Sequence, residues 1–212
     1  MSKVRFSIGM SIDGYLAGPN PTLDDPLGEG GMQLHEWVFP LEAFRREHGM
    51  EGGTANESTP VVEASQTGIG AFLMGRNMFG GGPGPWDGAW NGWWGDNPPY
   101  HVPVFVLTHH PRPSITMAGG TVFHFVSDGI HAALARATQA AAGRDVRLGG
   151  GVATIQQYLR AQLIDEMHLA FSPVLLGRGE ALLAGIDLPA LGYRCTEHVA
   201  TAAAMHVVIT KA

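Results

Sequence analysis

The N-terminal residues alternate between apolar and polar side chains, which predicts a strand over Val4–Met10 with one apolar face. An Asp13-Gly14 pair follows and favours a turn. The segment 19–31 is rich in Pro, Gly, Asp and Asn, which indicates a loop. Apolar residues then recur at near-helical spacing over 34–44, but Pro40 interrupts them. A broken helix is therefore predicted there.

In the rest of the chain, short apolar runs alternate with segments of helical periodicity. The predicted strands are Ala71–Met74, Pro103–Thr108, Thr121–Val126, Val146–Leu148, Met167–Leu176 and His206–Thr210. Thr59 is predicted to be the N-cap of one helix, with Pro60 at its first position. A second helix is predicted after Ser127, with Ile130, Leu134 and Ala137 on one apolar face, and a third begins at Val152. This alternation indicates an α/β fold with a mostly parallel sheet. We find no internal repeat or linker, so the chain is predicted to form one domain over 1–212. No long helical crossover precedes the last strand, which favours an antiparallel orientation for it.

Composition narrows the classes of function. The chain has 45% hydrophobic and 15% charged residues, enough to bury a sizeable core, and a formal net charge of −6. Because it has no basic stripe or cluster, neither a nucleic-acid partner nor an anionic membrane surface is expected. Cys195 is the only cysteine, which excludes an internal disulfide and any zinc site that needs two thiolates. No metal site is predicted. The N-terminus does not resemble a signal peptide and no apolar run is of membrane-spanning length, so we expect a cytoplasmic protein.

The strongest local motif is a glycine triplet, Gly149-Gly150-Gly151, between a predicted strand and the helix that begins at Val152. Glycines let a ligand approach the backbone closely, and a helix N-terminus presents free N–H groups and a partial positive charge. The triplet could therefore hold a phosphate or pyrophosphate. It is neither a P-loop nor a full dinucleotide fingerprint, since Thr154 stands where a small apolar residue is usual. The alternative is a tight strand-to-helix turn without a ligand.

Polar residues also follow two other predicted strands. Gly75-Arg76 ends one strand, and Thr108-His109 ends the next. Ligands bind at the carboxyl ends of strands in open α/β sheets, where an arginine could pair with a phosphate. A surface salt bridge is the alternative for Arg76. A metal at His109 and His110 is not expected, because adjacent residues of an extended chain point to opposite faces. Thr108 and His109 are better candidates for polar ligand contacts.

The segment 81–96 places four tryptophans among glycines and prolines. It could be a lid that stacks on a flat substrate and excludes water. It could equally be a compact loop whose aromatic side chains anchor it to the body of the protein or to a second subunit.

Taken in order, several motifs resemble the dihydrofolate reductase superfamily. They are Ser11–Gly18, Met74–Arg76, Val106–Thr108 and Gly149–Gly151. The stretch Leu163–Gly179 is similar to the reductase domain of riboflavin biosynthesis rather than to true dihydrofolate reductases. The resemblance implies a dihydrofolate reductase-like three-layer sandwich with a mostly parallel central sheet.

The resemblance also implies NADPH as the cofactor, bound along the sheet edge. Arg76, directly after Gly75, would bind the adenosine 2′-phosphate, and Thr108 with His109 the adenine-ribose side. Ala17 and Gly18 would lie near the nicotinamide. The pyrophosphate would be bound by Gly149, Gly150, Gly151 and Val152. The sequence departs from the family after Arg76, where a threonine is usual and Asn77 stands instead.

Asp13 is the candidate catalytic residue. In riboflavin-type reductases an Asp-Gly at this place lies beside the substrate, so Asp13 would orient a ribose hydroxyl or relay a proton. The alternative is a turn aspartate that accepts hydrogen bonds from its own backbone.

The predicted function is hydride transfer from NADPH to a small-molecule substrate. In the riboflavin pathway the acceptor would be the ring-opened ribose carbonyl of 5-amino-6-(5-phosphoribosylamino)uracil. The zinc deaminase that accompanies this reductase in bifunctional enzymes is not encoded, because one cysteine cannot build its site. The alternatives are reduction of a pterin or another carbonyl compound, and a non-catalytic NADP-binding module. The resemblance also implies a homodimer.

Overall fold

A computed structural model describes residues 2–212. Its strands are β1 (Val4–Ser11), β2 (Ile69–Gly75), β3 (Pro103–Leu107), β4 (Ile115–Thr116), β5 (Val122–Val126), β6 (Asp145–Gly150), β7 (Glu166–Ser172), β8 (Tyr193–Ala200) and β9 (Met205–Lys211). Its α-helices are α1 (Glu42–Glu47), α2 (Thr59–Gln66), α3 (Arg76–Phe79), α4 (Gly129–Ala141) and α5 (Val152–Arg160). Two 3₁₀ helices cover Gly31–His35 and Ala118–Gly120.

The nine strands follow the order β4-β5-β3-β2-β6-β1-β7-β9-β8 in the sheet. The pairs β5–β3, β3–β2, β2–β6 and β6–β1 are parallel. The pairs β4–β5, β7–β9 and β9–β8 are antiparallel. The predicted α/β class with a mostly parallel sheet is confirmed, and β9 is antiparallel to its neighbours as expected.

Contacts between residues divide the chain into two compact units. Of the described residues, the first unit comprises 2–5 and Gly68–Leu163, and the second comprises Phe6–Thr67 and Ile164–Ala212. The first unit therefore contains the strands β2 to β6, and the second contains β7 to β9. The organisation of the whole chain as one domain stays a prediction.

In the first unit α4 packs against β2 and β3 through a stripe of alanines. Ala133, Ala137 and Ala141 are fully buried, whereas Ile130 and Leu134, predicted to lie on the buried face with Ala137, are half-buried. Small side chains allow the helix axis to approach the sheet closely, so the buried stripe follows the alanines rather than the larger residues.

In the second unit a chain of hydrogen bonds connects three strands to the start of α2. The Ser7 hydroxyl lies 2.7 Å from Nδ1 of His168. The second ring nitrogen of His168 lies 2.9 Å from Nδ1 of His206, whose Nε2 lies 2.9 Å from the Ser58 hydroxyl. Both imidazoles are buried, and the chain supplies hydrogen-bond partners for them.

The boundaries of two elements differ from the predicted ones. Helix α2 has Ser58 rather than Thr59 as its N-cap, but the Ser58 side chain does not cap the helix; its hydroxyl is bonded to His206. Strand β7 ends at Ser172, four residues before the predicted end at Leu176, because Pro173 has no N–H to continue the ladder. The sequence patterns did not predict β4 or β8. Across residues 2–212, no helix combines the length and the apolarity needed to cross a bilayer.

Candidate functional site

The candidate cofactor site of the first unit lies at the carboxyl ends of β2, β3 and β6. These strands are parallel neighbours, so Gly75, Thr108 and the glycine triplet follow them at the same edge of the sheet. Met74 of β2 is paired with Gly150 of β6. The sequence-predicted residues of this unit are therefore brought together at one edge.

Gly75 has to be a glycine because of what packs against it. A Cβ at this position would lie 2.2 Å from Oγ1 of Thr154 and 3.7 Å from the Gly150 carbonyl oxygen. Thr154 is buried in the first turn of α5 and occupies the space that a side chain at 75 would fill. The departure from the dinucleotide fingerprint at Thr154 is thus compensated by Gly75.

The glycine triplet differs in environment from one residue to the next. A Cβ at Gly149 or at Gly150 would lie 3.1 or 3.2 Å from Sδ of Met78, and Gly150 has a left-handed φ of 142°. A Cβ at Gly151 would meet only Cβ of Asn77, at 3.9 Å. The peptide between Gly150 and Gly151 is cis. Gly151 is the N-cap of the nine-residue helix α5, so open space lies beside a helix N-terminus.

Arg76 is held by the loop that follows it. Its Nε donates to the carbonyl of Gly80 at 3.2 Å, and its Nη2 donates to those of Gly81 and Gly82 at 3.3 and 2.9 Å. Its guanidinium carbon lies 3.2 Å from the ring centroid of Trp86, a cation–π contact. The hydrogen-bond partners found for Arg76 are therefore backbone carbonyls, not the carboxylate that a surface salt bridge would supply.

A second arginine shares the same tryptophan. Arg112 lies 5.0 Å from the Trp86 centroid, and its Nη1 donates to the Trp90 carbonyl at 2.9 Å. Burial, and to a smaller extent the positive charge of Arg112, lowers the pKa of Arg76, although an arginine remains charged at neutral pH. Nη1 of Arg76 is buried and has no hydrogen-bond partner in the described structure. Arg112 follows the strand-ending His-His-Pro, and the sequence offers it, with His109, as an alternative to Arg76 for binding the 2′-phosphate.

Thr108 and His109 differ in side-chain exposure and in hydrogen bonding within the turn after β3. Thr108 is buried, and its Oγ1 accepts a hydrogen bond from the backbone N–H of His110 at 3.0 Å, which closes the turn after β3. His109 is exposed. The carbonyl of His110 accepts a hydrogen bond from the Trp86 indole. Of the two predicted contacts to the adenosine side, only His109 has a side chain that is not committed to this turn.

The tryptophan-rich segment packs onto the core of its own unit. Trp86, Trp90 and Trp94 contact a buried cluster that includes Phe79 and Phe123. Trp86 meets Phe79 edge to face, with 5.6 Å between the centroids, and Trp94 stacks on Phe123 at 5.9 Å. These contacts correspond to the anchoring alternative, in which the aromatic side chains order a loop rich in glycine.

The candidate substrate side, in the second unit, is built around Asp13. One carboxylate oxygen accepts the backbone N–H of Leu176 at 3.1 Å, and the other accepts that of Gly177 at 2.6 Å. Hydrogen bonding with the Ser11 hydroxyl, followed by the Gly177 and Leu176 amides, lowers the pKa of Asp13. Asp13 is therefore ionised at neutral pH and accepts hydrogen bonds rather than donating a proton. The Asp13 backbone N–H also contributes to the lowered pKa, as the turn alternative expects. The bonds to the distant turn at 176–177 were not foreseen, and the catalytic role stays a prediction.

Ala17 and Gly18 form part of a tightly packed wall in the same unit. The Leu16 N–H donates to the Glu180 carbonyl, and the Glu180 N–H donates to that of Ala17, both at 2.9 Å. A Cβ at Gly18 would lie 2.0 Å from the Glu29 carbonyl oxygen, and a Cβ at Gly179 would lie 2.0 Å from that of Ala17. These close approaches fix the Ala17-Gly18 backbone against the turn at 177–181.

The described residues offer no metal centre: no three His, Cys, Asp or Glu side chains among residues 2–212 come together in a way that could bind an ion.

A mostly parallel sheet combined with helices places the chain among the α/β proteins. Comparison with known sequences places the chain more closely. The sequence model of the RibD C-terminal domain matches residues 2–207, so the chain belongs to that family. No curated protein matches it. Membership of this family supports an oxidoreductase of the riboflavin and folate type.

Solved structures share the fold at low sequence identity. A putative riboflavin biosynthesis protein from Shewanella sp. PV-4 has a TM-score of 0.60 and 19% identity, with 99% of each chain covered. A diaminohydroxyphosphoribosylaminopyrimidine deaminase/5-amino-6-(5-phosphoribosylamino)uracil reductase from Thermotoga maritima has a TM-score of 0.58 and 13% identity; the match covers 100% of this chain and 57% of that one.

The dihydrofolate reductase of Enterococcus faecalis, complexed with NADP(H) and RAB-propyl, has a TM-score of 0.54 and 12% identity, with 98% of this chain and 95% of that one covered. These structures confirm the dihydrofolate reductase-like fold.

Proposed function

We propose that the chain is an NADPH-dependent reductase that transfers hydride to a small carbonyl substrate attached to a heterocycle. The proposed reaction resembles that of 5-amino-6-(5-phosphoribosylamino)uracil reductase. Membership of the RibD C-terminal domain family supports a reductase, and the names of two proteins with the same fold supply the substrate class and the cofactor.

The observation that carries the proposal is the structure of the glycine edge, by which we mean Gly75 and Gly149–Gly151 at the carboxyl ends of β2 and β6 in the first unit. Open space at Gly151 adjoins the N-terminus of α5, where the first N–H groups have no partner within the helix and favour an anion. Arg76 and Arg112 add two positive charges around Trp86, and one buried guanidinium nitrogen of Arg76 has no partner. A dinucleotide with a 2′-phosphate suits this combination of backbone donors and guanidinium groups.

In this proposal the backbone of Gly149–Val152 binds the pyrophosphate. The Arg76 guanidinium binds the 2′-phosphate together with Arg112, and His109 lies on the adenosine side. When bound, NADPH supplies the hydride. The assignment of Ala17 and Gly18 to the nicotinamide rests on the family resemblance, and the packed wall that contains them gives a rigid surface for positioning.

Asp13 contributes as a carboxylate. Backbone amides and the Ser11 hydroxyl hold it in place, and its side chain is exposed, so the carboxylate is accessible to a substrate hydroxyl that could donate a hydrogen bond. We assign it the orientation of a ribose hydroxyl rather than the donation of a proton, because its pKa is lowered.

The proposal is tested by turnover. The purified protein is mixed with NADPH and 5-amino-6-(5-phosphoribosylamino)uracil, and the loss of NADPH absorbance is compared with the formation of the ribitylamino product. We expect one NADPH oxidised per product, and a slower reaction with NADH. Oxidation of NADPH with dihydrofolate but not with this substrate would show that the protein reduces pterins instead. Absence of turnover together with absence of NADPH binding would contradict the proposed function.

A further inference from the structure

Two loop segments of the second unit meet at Asp13. The segment 12–32 follows β1, and the segment 174–182 follows β7. The amides of the second segment that donate to the Asp13 carboxylate join the two. A Cβ at Gly30 would lie 3.3 Å from Cδ2 of Leu176, so the far end of the first segment also lies against this turn. A substrate that is hydrogen-bonded to Asp13 would therefore be close to charges from both segments.

The two segments are acidic. Their five carboxylates are those of Asp13, Asp24, Asp25, Glu29 and Glu180. Their one basic side chain is that of Arg178. Arg178 and all of the acidic residues except Asp25 are exposed. A phosphate group is usually bound by guanidinium groups or by several free backbone amides, and an excess of carboxylates repels it. Arg178 is thus the side chain of these segments that could attract a phosphate.

Arg178 is paired with a carboxylate that is itself held in place. Nη2 of Arg178 donates to one oxygen of Glu29 at 2.7 Å, and Nδ2 of Asn20 donates to the other oxygen at 2.8 Å. The backbone N–H of Glu29 donates to the Pro19 carbonyl at 3.0 Å. The Arg178 and Glu29 side chains are 70% and 53% exposed, and ion pairs as exposed as this contribute little to stability. The consequence of the pair is electrostatic, because Glu29 neutralises Arg178.

Uncharged surface lies next to the same carboxylate. Ile12, directly before Asp13, is 59% exposed, and Leu175, in the turn that binds Asp13, is 71% exposed. Their backbones are adjacent, because the Ile12 N–H donates to the Val174 carbonyl at 3.0 Å. Ligand sites commonly combine such apolar side chains with a few polar groups that fix orientation. These surroundings suit an uncharged ligand with a hydroxyl group that donates to Asp13.

We propose that the Glu29–Arg178 ion pair makes this protein selective for a substrate without a phosphate group, that is, an uncharged hydroxylated carbonyl compound joined to a heterocycle. Glu29 withholds the guanidinium from a phosphate, and the remaining carboxylates repel a phosphate dianion. The inference rests on the proposed function, which places the substrate beside Asp13, and it adds the charge of that substrate.

The inference is tested by comparing two substrates that differ only in the phosphate. They are 5-amino-6-(5-phosphoribosylamino)uracil and the same compound after a phosphatase has removed its phosphate. For the wild-type protein, kcat/KM should be about 10-fold higher with the dephosphorylated compound. The difference should shrink as salt is added, because exposed charges are screened. Calorimetric titration of both compounds measures the same preference without turnover.

Glu29→Gln identifies the ion pair as the cause. It releases the Arg178 guanidinium, so the ratio of kcat/KM for the phosphorylated compound to that for the dephosphorylated one should rise about 5- to 10-fold. The double variant Glu29→Gln/Arg178→Gln should lose this rise. Asp128→Asn, which breaks the similarly exposed pair between Asp128 and Arg136, is the matched control and should keep the wild-type ratio. Thermal unfolding verifies that each variant is folded.

A wild-type preference for the phosphorylated compound, or an unchanged ratio in folded Glu29→Gln, would overturn the inference and leave the proposed reductase intact. If neither compound is reduced, tighter calorimetric binding of the dephosphorylated one still supports the inference, whereas tighter binding of the phosphorylated one, or binding of neither, overturns it. Absence of turnover together with absence of NADPH binding would contradict the proposed function, and the inference with it.

Discussion

Gly75 and Thr154 show what a motif match alone cannot indicate about the glycine triplet and the strand beside it. Read along the sequence, Thr154 weakens the resemblance to a dinucleotide fingerprint. In the structure its hydroxyl fills the place of the missing side chain at Gly75, so the two positions have to be considered together. They lie in different elements, and the sequence contains no sign that they are neighbours.

Gly151 allows the sharpest test of the phosphate cradle at the level of one residue. A methyl group in Gly151→Ala would enter open space and leave the fold intact, apart from an N-cap effect of about 1 kcal/mol or less. Because that methyl would occupy the space assigned to the pyrophosphate, we expect the dissociation constant for NADPH to rise about 10-fold or more. Fluorescence titration with NADPH measures the change.

The control for this substitution is Gly88→Ala in the tryptophan-rich segment. A Cβ there meets nothing within 4 Å, and one at Gly151 meets only Cβ of Asn77 at 3.9 Å, so the added methyl is comparable but lies outside the proposed cradle. Equal NADPH affinity in wild type and in folded Gly151→Ala would contradict the assignment of the pyrophosphate to this position.

The position of Arg76 after a strand could be read from the sequence, but its partners could not. It stacks on Trp86, ten residues further on, across a glycine-rich loop that has no periodicity to predict a contact. The same limit applies to Asp13, whose carboxylate bridges to Leu176 and Gly177 from the far end of the chain.

At the scale of elements, the patterns predicted the strands that have an apolar face or a buried core position. Strands β1, β2, β3, β5, β6, β7 and β9 all appear where alternation or short apolar runs placed them, to within a few residues at most ends. Strand β8 was missed because a strand that is exposed on both faces shows neither pattern. The buried stripe of α4 differs from the predicted one because periodicity does not distinguish a small residue in close contact with the sheet from a large, half-buried one beside it.

The hydrogen-bonded histidines that connect β7 and β9 to α2 predict a pH-dependent stability. Burial lowers the pKa of His206, so the unfolded chain binds more protons than the folded one below about pH 6.5. This contribution to stability is complete above that pH and is lost as the pH falls towards the lowered value. One proton corresponds to a slope of at most about 1.4 kcal/mol per pH unit. Urea unfolding at several pH values measures it.

His206→Gln should lower stability at neutral pH, because it breaks the chain to Ser58, and should reduce the slope. The slope should not vanish, since burial also lowers the pKa of His35 and His124. The exposed His198→Gln is the matched control and should keep the wild-type slope. An unchanged slope in His206→Gln would show that these histidines do not titrate on unfolding as argued.

At the scale of the whole molecule, the order of several weak motifs predicted the family and the fold, which no single motif could indicate. The family match over residues 2–207 confirms the resemblance, and the fold is that of the dihydrofolate reductase-like proteins. No motif in the sequence distinguishes one substrate from another. The homodimer stays a prediction.

The central claim is that the first unit binds NADPH through its glycine edge and recognises the 2′-phosphate through Arg76. The most direct measurement is the pair of dissociation constants for NADPH and NADH, in wild type and in Arg76→Ala, with thermal unfolding to verify that the variant is folded. The account predicts that wild type prefers NADPH. It also predicts that Arg76→Ala weakens NADPH binding by roughly 10- to 100-fold, the worth of a charge-assisted phosphate contact, with little effect on NADH. Failure of wild type to bind either nucleotide, or equal weakening of both in folded Arg76→Ala, would contradict it.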